Sequence, residues 1–322
     1  MGLLACGGAC SSGLEDTRED ESALGKDAGS HGNTDGGTAQ DGGKAPDTGK
    51  DASPADAAAC KASVTRMVAA NLSSGPKQSY DPGHGTRILT GLRPTVTMLQ
   101  EFNVGENTPS DLAQWVETTH GKGCSYVRGE GSIPNGIVSC LPVVASGHWK
   151  DESVNDRDFV WARIDVPGKV DLFIVSVHLL THKGRHKQGV ALEKLISANA
   201  EDAWVVVGGD MNTTSRKDEA IVSLRPHVDT FAPYPVGPAS SSESENTNSG
   251  RKEPLDWLLV SPSLKAFAVD VQLGQGPAYP NGLVFDSRYY KPLSDVPGVQ
   301  QGDSAADQMQ HMAVIKDFRI CE

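Results

Sequence analysis

At 322 residues the chain can hold one large domain or two small ones, and 41 acidic against 29 basic residues leave a formal net charge of −12. That balance excludes a generic basic nucleic-acid-binding surface. It leaves room for a nuclease, because a bound divalent cation supplies positive charge locally. The acidity is uneven: residues 1–60 carry 11 acids and 4 bases and are dominated by Gly, Ala, Ser and Asp. A stretch with so few aromatic and β-branched residues cannot bury enough apolar surface to offset its ordering entropy, so residues 11–59 read as a disordered acidic tether and residues 60–322 as one folded domain.

The first ten residues, MGLLACGGAC, resemble a bacterial lipobox, Leu3-Leu4-Ala5 before Cys6, with no basic n-region ahead of it. The expectation is lipidation at Cys6 and export, either to the bacterial cell envelope or as a secreted protein. No segment approaches the ~18–20 apolar residues of a transmembrane helix, so membrane contact is expected only through that anchor. Apart from Cys6 and Cys10 the cysteines are Cys60, Cys124, Cys140 and Cys321, which permit three pairings. Cys124 and Cys140 flank two short strand-like runs around a Gly/Pro turn, a hairpin that a disulfide could bridge. No CxxC spacing suggests zinc.

In chain order, residues 64–71 alternate loosely and predict a strand. Residues 85–93 predict a helix with Ile88, Leu89 and Leu92 on one face, stopped by Pro94. TVTMLQEF (95–102) predicts a buried strand, and SDLAQWVETTH (110–120) a helix opening on a Ser/Asp cap. NGIVSCLPVV (135–144), FVWARIDV (159–166) and VDLFIVSVHLL (170–180) predict strands, the last two joined by a hairpin turn. Residues 186–200 carry Val190, Leu192, Leu195 and Ile196 at helical spacing, and WVVVGGD (204–210) is the next strand. A polar loop (237–254), a strand (255–262) and a final strand (311–320) follow. Buried parallel-type strands beside clear hairpins predict an α+β or α/β fold with mixed sheets packed as a sandwich, not a doubly wound sheet.

The apolar strands share a habit of ending in a polar group. Asn71 closes the first, Glu101 the second, and His178 ends LFIVSVH. Asp210 and Asn212 end VVVGGDMN, Asp256 opens DWLLV, and His311 opens HMAV. Buried strands rarely tolerate unpaired charge, so a set of such groups at strand ends points to one functional edge.

The pieces AANLSSG (69–75), MLQEFN (98–103), NGIVSCLPV (135–143), SVHL (176–179), GGDMN (208–212), LDWLLV (255–260) and QHMAV (310–314), in this order, resemble the endonuclease/exonuclease/phosphatase superfamily of metal-dependent phosphoesterases. The resemblance spans residues 64–318. It implies a four-layer, deoxyribonuclease-like sandwich of two sheets with flanking helices. It implies Glu101 as principal Mg2+ ligand with Asn71 close by, Mn2+ or Ca2+ being the alternative ions. Asp210 is implied to orient or deprotonate the attacking water, and Asn212, two residues on and on the same face, to donate to the phosphoryl oxygens. His311, held cationic by Asp256, is implied to contact the phosphate, with His178 opposite as leaving-group acid or phosphate contact. Asn135, Arg128, Lys183 and Arg185 are the expected substrate-binding residues.

The family pattern usually closes with Ser-Asp-His; here Met309-Gln310-His311 stands instead. A neutral amide is a weaker ligand, which favours a one-metal site, with Asp303 or Asp307 as acids that could reach in from the preceding loop. The fold also implies that the first and last strands are antiparallel neighbours, which predicts Cys60–Cys321 alongside Cys124–Cys140.

Rival motifs are weaker. His178, His182 and His186 stand four apart, but His178 ends a β-branched run, so the spacing is not helical there. The triplet Gly302-Asp303-Ser304 follows no strand and lacks a nucleophile elbow. The expected function is a Mg2+-dependent phosphodiesterase, an exported endonuclease acting on DNA or RNA by metal-assisted attack of water. The alternatives are a sphingomyelinase-like phosphodiesterase for small phosphoesters and a catalytically weak binding protein on the same fold. Nucleic acid is the expected partner, with no protein partner and a monomeric state.

Overall fold

A computed structural model describes residues 64–75 and 77–320. The readings placed on the leader, Cys6, the tether and Cys60–Cys321 lie outside the described residues. The elements run β1 (Val64–Ala70), α1 (His84–Leu92), β2 (Val96–Leu99), α2 (Pro109–His120), β3 (Ser125–Arg128), β4 (Gly136–Ser139), β5 (Val143–Trp149), β6 (Phe159–Ile164) and β7 (Leu172–His178). Then come α3 (Arg185–Asn199), β8 (Trp204–Asp210), α4 (Glu219–Ser223), β9 (Gly237–Pro238), β10 (Glu243–Ser244), β11 (Asp256–Val260), α5 (Pro262–Lys265), β12 (Ala268–Val269), β13 (Leu283–Phe285) and β14 (Ala313–Arg319).

Two mixed sheets form the body. The first runs β12-β14-β1-β2-β4-β3, with β13 also on β14; the second runs β11-β8-β7-β6-β5. Each has one parallel pair at its centre, β1 with β2 and β7 with β8, and antiparallel neighbours outside. Strand alternation assigns the faces. Met67, Ala69, Val96, Met98 and Ile137 of the first sheet meet Val160, Ala162, Ile174, Val206 and Leu258 of the second. The outer face of the first sheet packs under α1 and α2 through Ile88, Leu89, Leu92, Trp115 and Val116. The outer face of the second packs under α3 and α4 through Leu192, Ile196, Ala220 and Ile221. The result is the expected four-layer sandwich.

Local chemistry explains several boundaries. The cap of helix α2 lies two residues before the expected Ser110: Thr108 is the N-cap, its side chain accepting from Asp111 N at 3.1 Å, and Pro109 takes the first turn, where its missing N–H costs nothing. Residues 135–144 are not one strand. The run breaks at Cys140–Pro142, so β4 stays in the first sheet while β5 crosses to the edge of the second. The pattern of apolar residues continues across the break, which hides the change of sheet. Cys124 and Cys140 flank the outermost pair of the β3–β4 ladder, Ser125 opposite Ser139, and are joined by a disulfide.

The glycine pair of β8 has two different reasons. A Cβ on Gly208 would lie 2.5 Å from Met98 Sδ of the facing sheet, so the close packing there leaves no room for a side chain. Gly209 has φ +139°, and a Cβ there would sit 2.1 Å from Val177 O and 2.6 Å from Gln100 Nε2.

Candidate active site

The inward face of the second sheet ends in a row. His178 on β7 and Asp256 on β11 are the direct register partners of Asp210 on β8, so the three side chains project from the same face at one edge. The first sheet supplies Asn71, the next inward position after Met67 and Ala69, and Gln100, the next after Val96 and Met98. Glu101 follows in the left-handed region (φ 52°), where the strand has ended and the backbone turns, with Phe102 N donating to Pro134 O at 2.8 Å.

The two sheets meet through this edge. Asn71 Nδ2 lies 3.2 Å from Glu101 Oε1 and 3.1 Å from Asp210 Oδ2, so one amide joins the acids of both sheets. Behind it, Gln100 Nε2 donates to Ser176 Oγ at 3.0 Å, and Ser176 donates to Leu99 O at 2.9 Å. The buried Tyr80 hydroxyl sits 3.3 Å from Ala70 O and 3.2 Å from Gln100 O, fixing the ends of β1 and β2; burial raises its pKa.

Asp210 Oδ2 is the focus of the cluster. His178 Nε2 lies 3.3 Å away and His311 Nε2 3.6 Å away, while Asp210 Oδ1 accepts from Asn212 N at 2.9 Å. His311 Nδ1 lies 3.0 Å from Asp256 Oδ2. Burial alone would depress the His311 pKa, but the charges of Asp256 and then Asp210 outweigh it and push it up to about 10, so the ring is an imidazolium at neutral pH. His178 goes the other way. Burial dominates, and with Arg157 and His311 nearby outweighs the pull of Asp210, bringing it down to about 4. The neutral ring points Nε2 at Asp210, and its Nδ1 is buried without a hydrogen-bond partner among the described residues. A neutral imidazole held this way suits a positioning or phosphate-contact role better than that of a leaving-group acid.

The donor set fits a hard divalent cation on the Glu101 side. Both carboxylate oxygens of Glu101 are held by neutral donors, Asn71 Nδ2 and Ser73 Oγ, the latter at 2.9 Å. Burial raises the Glu101 pKa against the pull of Asn71, Ser73 and the His311 charge, and Asn71 Oδ1 is buried and unpartnered among the described residues. A carboxylate and an amide oxygen are ligands that Mg2+ accepts while keeping its waters. Asp210, Asp256 and His311 also offer atoms within 4.8 Å of one another. In that trio His311 Nδ1 is already engaged with Asp256 Oδ2 at 3.0 Å.

The remaining sequence candidates are placed differently. Asn212 has φ 50°, and its Nδ2 donates to Leu179 O at 2.9 Å, so one of its two amide hydrogens is committed to the backbone beside His178. Asn135 is fully buried and donates to Asp158 O at 2.6 Å, anchoring the loop before β6. Arg128 is spent on Phe102 O (2.8 Å) and Asn103 Oδ1 (2.9 Å), bracing the segment that carries Glu101. Arg185 pairs with Asp218 at 2.8 Å at the start of α3. Lys183 is exposed in the loop after β7. Asp303 does not reach the site: it is buried against Arg87 and His84. Gln310 is exposed, and its carbonyl accepts from Ser249 N at 2.8 Å.

Sequence reasoning passed over Arg157, Ser73, Gln100 and Tyr80. Arg157 is the most consequential, being 8% exposed beside His178 with a buried, unpartnered Nε and only a 3.7 Å approach to Asp156. In the sequence it stands between two aspartates, Asp156 and Asp158, and reads as a solvated charge run.

A profile of the Endonuclease/Exonuclease/phosphatase family matches residues 33–295. Among solved structures, D. rerio TDP2 humanized by 14 mutations is similar with a TM-score of 0.53 and 14% identity, covering 80% of this chain and 99% of that one. An endonuclease/exonuclease/phosphatase family protein from Leptotrichia buccalis C-1013-b gives 0.51 and 12%, covering 80% and 100%. At these identities the likeness shows the fold alone. No curated protein matches in sequence. The profile covers most of the chain, and the chain belongs to the endonuclease/exonuclease/phosphatase family.

Proposed function

We propose that the protein is a Mg2+-dependent phosphodiesterase that hydrolyses nucleic acid, DNA foremost. The family is one of divalent-metal-dependent phosphoesterases, which makes hydrolysis of a phosphoester the coarse activity. The observation that carries the finer reading is Asp210 Oδ2, held between Asn71, His178 and a cationic His311 at 3.1–3.6 Å.

Each group has a task that its surroundings permit. Asp210 orients the attacking water and takes its proton. His311, kept charged by Asp256, donates to the phosphoryl oxygens as negative charge builds on them. Arg157 adds a second fixed cation beside His178, and the free amide hydrogen of Asn212 adds a neutral donor. Glu101 and Asn71 would hold the cation, which when bound supplies Lewis-acid neutralisation of the phosphate. Among the described residues the large exposed apolar side chains are Val64, Val144 and Phe231, on separate elements. That favours a polyanionic substrate over a lipid surface.

The same reading takes residues 60–322 as the catalytic domain of an exported monomer, tethered through residues 11–59 to a lipid on Cys6. Radiolabelled palmitate retained by the wild type and lost by Cys6→Ala supports the anchor. The activity is tested with plasmid DNA, RNA, sphingomyelin and a chromogenic phosphodiester, each with Mg2+ and with EDTA. Cleavage of DNA that EDTA abolishes is expected. Turnover of sphingomyelin alone would replace the substrate assignment, and activity indifferent to EDTA would remove the metal from it.

A further inference from the structure

A polar cavity lies between β11 of the second sheet and β12 and β14 of the first, with Asp256 of the row among its walls. Its volume is about 60 Å3, and its walls include Arg216, Tyr234, Trp257 and Lys316. The acids Asp229, Glu245, Asp256 and Asp317 also line it, and Asp256 and Asp317 are paired with His311 and Arg66. A water needs about 10–15 Å3 of such space, so the cavity admits a few waters or one small oxyanion.

Two cations face into it with unmet bonding capacity. Lys316 occupies an inward position of β14, in the alternation Val314, Lys316, Phe318, where the neighbouring inward residues are core. Among the described residues its amine makes no ion pair or hydrogen bond. The nearby Asp229 pairs with Lys265. Burial brings the Lys316 pKa down to about 8, with Lys265 and Arg216 adding repulsion. Arg216 sits against two rings set nearly perpendicular to each other, 4.5 Å from the Tyr234 centroid and 4.3 Å from the Trp257 centroid. One terminal nitrogen bonds Glu245 O, but Nε is buried and unpartnered, with Glu245 Oε1 only at 3.6 Å.

Two like charges turned into one partly closed space repel each other and forgo solvation. An inward lysine on a core strand is a poor choice for stability alone, since an apolar side chain would fill the same place without that cost. A bound anion resolves both defects: it accepts from Arg216 Nε and from the Lys316 amine and removes the repulsion. The two rings confine the guanidinium from two sides, which limits the conformational freedom it would lose on binding.

We propose that this cavity is a binding site for a small oxyanion, of the size of phosphate or a short carboxylate, held between Arg216 and Lys316. The site adjoins the cluster around Asp210 through Asp256, which lines it, and its existence does not depend on which phosphoester the enzyme hydrolyses.

The test is calorimetric titration of the full chain in EDTA with inorganic phosphate and, separately, acetate. The wild type, Lys316→Met and His311→Ala are compared. Phosphate or acetate is expected to bind the wild type and His311→Ala alike, and at least tenfold more weakly to Lys316→Met. Arg216→Lys, which keeps the charge but loses the Nε donor, is expected to bind several-fold more weakly than the wild type. No binding of either anion overturns the proposal. So does binding that Lys316→Met leaves intact or that His311→Ala removes, since the anion would then sit elsewhere or at the catalytic edge. A melting scan confirms that each variant is folded before titration.

Discussion

Asp256 Oδ2 stands 3.0 Å from His311 Nδ1, while the opposite ring nitrogen faces Asp210 at 3.6 Å, so the imidazole is gripped between two acids of adjacent strands. The folded pKa of about 10 is above the ordinary value near 6.5. The stability this pairing contributes is therefore complete below pH 6.5 and is lost as pH rises through about 10. Activity is expected to fall on the basic side of the same window. Asp256→Asn should move that limb toward neutrality and lower kcat by about 10²–10⁴-fold. A pH profile of kcat for both proteins checks this.

Asp210→Ala should reduce kcat by about 10²–10⁴-fold, the usual worth of a general base. The melting temperature should change little, because the substitution also relieves the crowding of acids around Asn71. Single-turnover rates on the preferred substrate, beside a thermal melt, separate the chemical effect from unfolding.

Glu101→Gln keeps the shape and an acceptor oxygen for Asn71, with the Ser73 hydroxyl turning to accept from the new amide, while removing the charge. The Mg2+ concentration for half-maximal activity is expected to rise at least about tenfold. The increase in melting temperature that Mg2+ confers by binding the native state should shrink in parallel. A shift in activity without a shift in the Mg2+-dependent melt would place the cation elsewhere.

Gly208 and Met98 are in contact across the sandwich, and that contact can be measured as a coupling. Gly208→Ala alone should cost about 1–3 kcal/mol through overpacking, and Met98→Ala alone about 2–5 kcal/mol through the cavity it leaves. The double variant should be more stable than the sum of the two, because the new methyl group enters the space the methionine vacates. Urea unfolding of the four proteins gives the coupling directly.

His120 provides a stability test remote from catalysis. Its ring nitrogens lie 2.8 Å from Thr97 Oγ1 and 2.7 Å from Thr119 Oγ1, and burial lowers its pKa to about 4. Between pH 6.5 and 4 the unfolded chain binds a proton that the folded one refuses, so stability declines as pH falls through that window and is unaffected above it. His120→Gln should flatten the dependence of melting temperature on pH between 6.5 and 4.

The row of polar strand ends was legible because strand alternation places residues two apart on one face. Met67-Ala69-Asn71, Ile174-Ser176-His178 and Val206-Gly208-Asp210 each carry core residues inward and then one polar group at the edge. What escaped were residues whose role depends on contacts between strands remote in sequence. Arg157 looks like one member of a charged loop until the sheets bring it beside His178. Gln100 looks like a polar strand end until Ser176 meets it from the other sheet. Arg128 and Arg185 are the reverse case: their positive charge suggests phosphate, while in the fold they donate to Phe102 O, Asn103 and Asp218. The change of sheet after Cys140 was invisible for a similar reason, since the apolar run does not record which neighbour each strand has.

The in-register trio His178, Asp210 and Asp256 also constrains how this protein can change over generations. Inserting or deleting one residue within β7, β8 or β11 would turn that strand's polar end toward the helices and disassemble the row, so indels there are lethal to activity. Insertions in the loops beyond the strand ends leave the row untouched. New substrate preferences can therefore be acquired by lengthening those loops, while the strands beneath them stay fixed in length.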